Sequence, residues 1–465
     1  MRKPAPVEEE SVLSAARSQR LLDPLFTTEK MRGIFSDHGC LQGMLDFEAA
    51  LARAEASAGI LPSAAAAAIA SQCRADAFDL ETIANAAALA GNPAIPLVRE
   101  LTSHVAAKNT EAARFVHWGA TSQDAMDTGL VLQLKRALEC FARDLERLSR
   151  ALASIAREHA ATPLAGRTWL QQGPPVTFGL KVAGWLSAIE RHRSRLEQTR
   201  KRVLALQFGG AVGTLAALGE QAQATATALA NELELALPEL PWHAQRDRLA
   251  EVATMLGLVV GTLGKIARDV SLLAQTEVGE ASEPSAPGRG GSSTMPHKRN
   301  PIASAVVLAA ATRVPGLVAT MLGAMVQEHE RGLGGWHAEW ETLPEICTLT
   351  AGALAQTIAM IEGLQVDASR MAANLEVSRG LNLAEAVSIE LGRHVGRQIA
   401  HELVERACDR AMNEGKHLSE VLAADSKVTA HLPRAAIDRL LDPRRYTGQA
   451  EAFVARALAQ AGDKR

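Results

Sequence analysis

The chain has 465 residues, 47% hydrophobic and 22% charged, with a formal net charge of −3. At ~150 residues per domain this suggests about three domains, enough to bury a large core without disulfide or metal staples. With no basic block, acidic tail or repeat, the near-neutral balance excludes a polyelectrolyte partner such as nucleic acid, which needs a concentrated charged face.

Aromatic residues make up 3%, with a single tyrosine, Tyr446. Strands favour β-branched and aromatic side chains, so a chain dominated by alanine and leucine is expected to be all-α. Uncharged runs reach only about 18 residues and are broken by Gly, Pro, Ser or Gln, which predicts no membrane span. Met1 to Glu10 lacks a secretory apolar core. Cys40, Cys73, Cys140, Cys347 and Cys408 are odd in number and contain no CxxC pair, which points to a reducing cytoplasm.

In chain order, roughly the first 20 residues read as a loose arm. Thr28 to about Arg114 reads as short helices punctuated by Gly59-Ile60-Leu61-Pro62 and Gly91-Asn92-Pro93. From Asp127 to Ala161 apolar residues fall at Leu130, Leu134, Leu138, Phe141, Leu145, Leu148, Leu152 and Ile155, a single stripe of one helix. At ~1.5 Å per residue it would run roughly 50 Å. Pro163 and Gly166 end it.

Further long helices are predicted from Pro175 to about Gln207, about Gln245 to Ala281, Pro301 to Gln327 and about Leu343 to Leu364. Five such helices imply an elongated bundle, and their apolar breadth predicts burial in an oligomer. Shorter helices follow at Ala368–Asn374, Ala384–Ala411, Leu418–Ala424 and Pro433–Leu441. The expected domains are 1–114, a central bundle at 115–365, and 366–465.

Three polar segments break the helical pattern. Ser282–Asn300 is dense in Gly, Ser and Pro, without periodicity, and reads as a mobile surface loop. A plain linker would not need Met295, Lys298 and Asn300 just before a helix. A P-loop is excluded, because GxxxxGK[ST] is absent and no strand precedes the glycines. Its hydroxyls, glycine-freed N–H groups and lysine suit an anion and can stabilise developing negative charge.

The second segment is His117–Thr128. Thr121, Ser122, Asp124 and Asp127 read either as ordinary N-caps or, with the helix N-terminus, as a carboxylate site. The third, Gly166–Thr177, reads as a turn with capping residues, which leaves Gln171 and Gln172 beside Trp169 unexplained.

Together the segments resemble the fumarase/aspartase superfamily, which includes fumarase, aspartase, argininosuccinate lyase, adenylosuccinate lyase and the carboxymuconate cycloisomerases. Gly291-Ser-Ser-Thr-Met-Pro-His-Lys-Arg-Asn-Pro301 matches the signature GSxxMxxKxN in full. Thr121-Ser-Gln-Asp124 with Asp127-Thr128 matches a first family region, and Gly166-Arg-Thr168 with Gln171 a second. The resemblance implies a three-domain all-α fold, no cofactor and no metal. It also implies a homotetramer whose active sites draw on three subunits.

By the same resemblance, Ser292 or its neighbour Ser293 exchanges a proton next to a carboxylate, and Lys298 and Asn300 hold that carboxylate. Thr121, Ser122, Gln171, Trp169, Ser293 and Met295 are the expected substrate contacts. His117 has two readings, lining the pocket or packing locally.

One departure narrows the expected chemistry. Lyases of this superfamily carry a histidine after the Arg-Thr of the second region, implicated in protonating the leaving group; here that place is Trp169. A general acid is dispensable only when the leaving group is already a stable anion, such as a carboxylate with a pKa of about 4. A carboxylate leaving group means opening a lactone, and the reverse closes one. The expectation is therefore the lactone-forming branch, acting on a tricarboxylate. The rivals are a fumarate-releasing lyase and a catalytically silent relative.

Other candidates carry ordinary readings. Arg331 has two readings, meeting a carboxylate or, beside Glu328 and Glu330, serving as an ordinary charged helix end. His297 faces solvent, and Trp336 and Trp340 pack. The pairs His337/Glu339 and His394/His401 lack an HExxH arrangement, so a metal role is set aside.

Overall fold

The computed structural model describes residues 20–286 and 288–462. Nearly all of the expected N-terminal arm lies outside the described residues. The chain packs as two compact units. The first takes the described residues up to Leu145, His192–Leu263 and Val306–Gln356; the second takes Glu146–Arg191, Gly264–Ala305 and the described residues from Thr357 onward.

Helix α1 (Asp37–Ser57) starts at Ser36, whose hydroxyl accepts the Gly39 N–H at 3.0 Å, a standard N-cap. It buries Leu41, Met44, Leu45, Phe47 and Leu51. Helix α2 (Ser122–Glu158) is 37 residues long. Its buried stripe is Val131, Leu134, Leu138, Phe141, Leu145, Leu148 and Leu152; the expected flanking members Leu130 and Ile155 are only half-buried.

Helices α1 and α2 touch backbone to backbone. A Cβ added at Gly43 would stand 2.8 Å from Gly129 O, and one added at Gly129 would stand 2.9 Å from Met44 N. Any side chain there pushes the two helices apart.

Strands β1 (Pro163–Thr168) and β2 (Gln171–Thr177) then form an antiparallel hairpin where a capped turn was expected. Two prolines and two glycines in twelve residues hid the alternation that marks strands. Gly166 sits at a register shift, where a Cβ would lie 2.5 Å from Pro174 O. The two residues between paired Thr168 and Gln171 are Trp169 and Leu170, with φ of 53° and 63°. That is the backbone of a type I′ turn, usually made by Asn-Gly.

Four more long helices follow: α3 (Phe178–Val203), α4 (Asp247–Leu273), α5 (Ile302–Gly323) and α6 (Gly335–Glu362). Helix α6 opens eight residues before its expected start at Leu343 and runs through Pro344. Between α5 and α6 the chain is irregular. Short strands β3 (Ala281–Ser282) and β4 (Gln365–Val366) pair antiparallel, so the first residue of the expected signature loop belongs to a strand.

By length and composition alone, α4, α5 and α6 could cross a membrane, contrary to the reading of uncharged runs, which misses apolar windows carrying one or two charges. Their windows are 61%, 33% and 67% buried within the chain. Helix α5 thus leaves the most apolar surface unpaired.

The single helix expected over Ala384–Ala411 is two, α7 (Ala384–Val395) and α8 (Arg397–Glu414). Gly396, at φ 86° and ψ 152°, sits where L-residues rarely go. The apolar stripe continues across it as Val387, Leu391, Leu403 and Val404, all buried in the C-terminal core, so periodicity alone could not show the break.

Replacing Gly129 by Ala is expected to destabilise the protein by about 1–3 kcal/mol through overpacking of α1 on α2, read as a lower urea midpoint.

Candidate active site

In the first compact unit, the N-terminus of α2 is fixed by buried carboxylates. Asp124, fully buried, accepts five hydrogen bonds: from the N–H groups of Thr121 (3.1 Å), Gly209 (3.0 Å) and Gly210 (2.9 Å), from Gln207 Nε2 (3.1 Å) and from His243 Nε2 (2.8 Å). It therefore does more than cap. It ties the 207–210 strap and His243 to the start of the helix. Thr128 completes the strap, its hydroxyl donating to Gln207 O at 2.8 Å.

One turn on, Asp127 meets Arg246 in a bidentate pair at 2.6 and 3.0 Å, and Arg246 also grips Glu339 of α6. All three are buried. Burial pushes the Glu339 carboxyl above its ordinary range; Arg246 opposes this and Asp127 adds to it. The neighbouring carboxylates hold Arg246 more firmly charged, against burial. Trp336 Nε1 donates to Asp127 Oδ1 at 3.1 Å. Glu339 is thus an ion-pair partner, and Trp336 packs with a polar anchor.

Gln123 carries this network to the surface. Its amide donates to Asp127 Oδ2 at 3.0 Å and to His243 O, while its oxygen accepts Arg331 Nε at 3.0 Å. Arg331 also donates to Ala211 O at 3.0 Å and reaches Thr121 Oγ1 at 3.4 Å. It is therefore a guanidinium set beside Thr121, not an ordinary charged helix end. The hint in the sequence was its place in a polar segment between two apolar helices. His117, left-handed at φ 58°, sets its Nδ1 2.6 Å from Glu48 Oε1. A non-glycine residue held there costs of order 1–3 kcal/mol. Thr121 and Ser122 are half-buried. One end of α2 so gathers His117, Thr121, Ser122 and Arg331.

The second unit holds the other expected residues. Glu283 caps the N-terminus of α5, accepting the N–H groups of Ala303 (2.9 Å) and Ser304 (2.7 Å) and the Ser304 hydroxyl (2.7 Å). Asn300 N donates to Gly290 O at 2.8 Å, and Gly291 pairs with Arg299. These contacts close the base of the signature loop. At its tip, Ser292 Oγ accepts the Met295 N–H at 3.1 Å, which orients the hydroxyl oxygen in a tight turn. Ser292 and Asn300 are half-buried; Ser293, Met295, His297 and Lys298 are exposed.

In the same unit Arg167 clamps buried Glu280 at 2.7 and 2.8 Å, and Gln172 donates to Asn374 O at 2.9 Å, bracing the hairpin. Its tip stands free: Trp169 is 96% exposed and Leu170 83%. Gln171 is exposed beside it.

Arg246→Met would leave Asp127 and Glu339 buried without their cation. A loss of about 3–5 kcal/mol is expected, read by urea unfolding, with the tryptophan emission of Trp336 changing along with it.

Comparison with known proteins identifies the family. A family model described as "Lyase" matches residues 26–316, and one described as "Adenylosuccinate lyase C-terminus" matches 380–457. The chain is 61% identical over 448 residues to a 3-carboxy-cis,cis-muconate cycloisomerase of Pseudomonas aeruginosa, covering 96% of this chain and 98% of that one. It is 58% identical to the Pseudomonas putida protein of the same name, covering 90% and 100%. The crystal structure of a 3-carboxy-cis,cis-muconate lactonizing enzyme from Pseudomonas putida superposes with a TM-score of 0.92 at 57% identity, covering 96% and 99%. With the lyase model spanning more than half of its length and relatives this similar covering nearly all of it, the chain belongs to the lyase family of the fumarase/aspartase superfamily.

Proposed function

We propose that the protein interconverts 3-carboxy-cis,cis-muconate and 4-carboxymuconolactone, an intramolecular lyase reaction of aromatic catabolism. The observation that carries this reading is Trp169, standing on the hairpin tip where lyases of the superfamily place a histidine. The relatives named for this reaction, at 61% and 58% identity, support it.

In lactonisation a substrate carboxylate oxygen forms a C–O bond to one carbon of a double bond. The π pair moves to the adjacent carbon, is held as an aci-carboxylate, and takes a proton from Ser292. In reverse, Ser292 removes that proton, the C–O bond breaks, and the carboxylate leaves with the electron pair, needing no acid. Lys298 and Asn300 hold the carboxylate that gains charge, and Ser293 and Met295 shape the loop around it. Thr121, Ser122, Arg331 and the positive end of α2 receive another carboxylate. Trp169 and Gln171 contact the substrate where an imidazole is not required. Lysine and helix dipoles supply the electrostatic stabilisation, so the reaction is written without metal or cofactor.

The reading extends to assembly. Helix α5, whose apolar window is only 33% buried within one chain, and the bare Trp169 tip fit a cytoplasmic homotetramer whose active sites combine residues of several copies. The organisation at 1–114, 115–365 and 366–465 belongs to the same reading.

The direct test follows the loss of 3-carboxymuconate ultraviolet absorbance, with the product identified by mass and NMR. Turnover is expected there, and adenylosuccinate is expected to release no fumarate. Ser292→Ala should lower kcat by roughly 10²–10⁴ while the fold is kept; near-normal turnover would move the proton transfer to Ser293 or elsewhere. Light scattering on a sizing column should give the mass of four chains.

A further inference from the structure

Glu48 and Glu55 lie seven residues apart on α1, two turns along a face that also buries Leu41, Met44, Leu45 and Leu51. Both are buried, at 1% and 0% exposure. An ionised carboxylate in such a place needs a partner. Neither oxygen of Glu55 has a hydrogen-bond partner, nor has Glu48 Oε2. Glu55 answers by keeping its proton: burial first, and then the charge of Glu48, push it up to about 9. Glu48 has the one available partner, His117, through a 2.6 Å contact as short as charge-assisted hydrogen bonds become.

The charged groups facing His117 are Glu48 from α1 and Asp124 from α2. Burial lowers the tendency of the imidazole to hold a proton, and these two carboxylates overcome that, so the net shift is upward. Asp124 is already saturated by five donors, so Glu48 is the group that binds the ring directly. The His117 side chain keeps 16% exposure while its carboxylate partner has 1%. The ring is therefore held by Glu48 while part of the side chain stays accessible, in the segment that leads to Thr121 and Ser122.

We propose that Glu48 is a positioning residue, holding His117 by its Nδ1 as an imidazolium so that this cation receives a carboxylate of the substrate at the N-terminus of α2. This rests on the site reading given above. Glu55, neutral behind Glu48, adds no further negative charge on that side of the ring. The sign follows: below the raised titration point His117 is charged and KM is low; as pH rises through that point the proton leaves and KM climbs. Without Glu48 the climb begins at lower pH.

The test uses the full-length protein labelled with ¹³C-histidine, the His117 resonance being assigned by its loss in His117→Gln. The parent His117 is expected to titrate above the ordinary value of about 6.5, and in Glu48→Gln at or below it. On 3-carboxymuconate at pH 8, Glu48→Gln should raise KM about tenfold, the loss of one charge-assisted contact, with kcat within about twofold. Glu48→Asp, which keeps the charge, should recover most of the KM, and Glu55→Gln should leave the titration and KM as in the parent. A His117 titration unchanged in Glu48→Gln overturns the positioning role, and a fall in kcat at constant KM overturns carboxylate binding. If Glu48→Gln does not fold, the parent titration decides, an ordinary value overturning the proposal. If the parent does not turn over 3-carboxymuconate, the functional reading fails, and the titrations still judge Glu48.

Discussion

The arrangement rests on one buried cation. Arg246 sits between Asp127 of α2 and Glu339 of α6, out of water, with both carboxylates bound directly to its guanidinium. Such a cluster is a poor source of net stability, because desolvation offsets most of the attraction. It is a strict source of geometry, because any displacement leaves a buried charge unpaired. Two helices whose apolar stripes would tolerate sliding are pinned in register at one point. Gln123, bonded to Asp127 on one side and Arg331 on the other, passes that fixed register to the surface.

The same logic governs the end of α2. A helix N-terminus attracts anions, and Asp124 could have occupied it outright. Instead its carboxylate is consumed by two strap amides, a glutamine, His243 and the Thr121 N–H. What remains facing outward is cationic or neutral: Arg331, His117 and the hydroxyls of Thr121 and Ser122. Negative charge is kept inside and satisfied, so positive potential is left at the mouth. A tricarboxylate is the class of ligand that makes best use of such a polarity.

The long helices were legible because each carries an apolar stripe at spacings of three and four. Three of the five agree with their expected spans apart from frayed ends; α4 stops at Leu273, eight residues short of its expected end at Ala281, which lies in β3, and α6 begins early because Trp336 and Glu339 are polar or aromatic residues buried by specific partners. The hairpin was illegible since Gly166, Gly173, Pro174 and Pro175 erase strand alternation, and its pairing is decided by partners elsewhere in the sequence. Gly396 was read through because the apolar stripe continues on both sides of it. Among the site residues, the signature loop announced itself by its wording. Arg331, Glu48 and Arg246 did not, because a charged residue looks solvated until the fold shows which partner it meets. Glu48 and Glu55 left a faint trace, two acids seven apart on an otherwise apolar face.

Trp169 shows how the chemistry and the fold meet. A two-residue turn with both residues left-handed favours Asn and Gly, yet here it holds an indole and a leucine, both almost wholly in water. Neither backbone preference nor burial within the chain accounts for large apolar side chains there, so their selection must come from what meets the tip. An imidazole at that point would serve a reaction that needs a proton delivered to a departing amine or alkoxide. Indole can deliver none at neutral pH; in the proposed reaction it would add a broad apolar surface against a flat, conjugated substrate. In the proposed reaction, a leaving group that is content as a carboxylate asks for that orientation and nothing more.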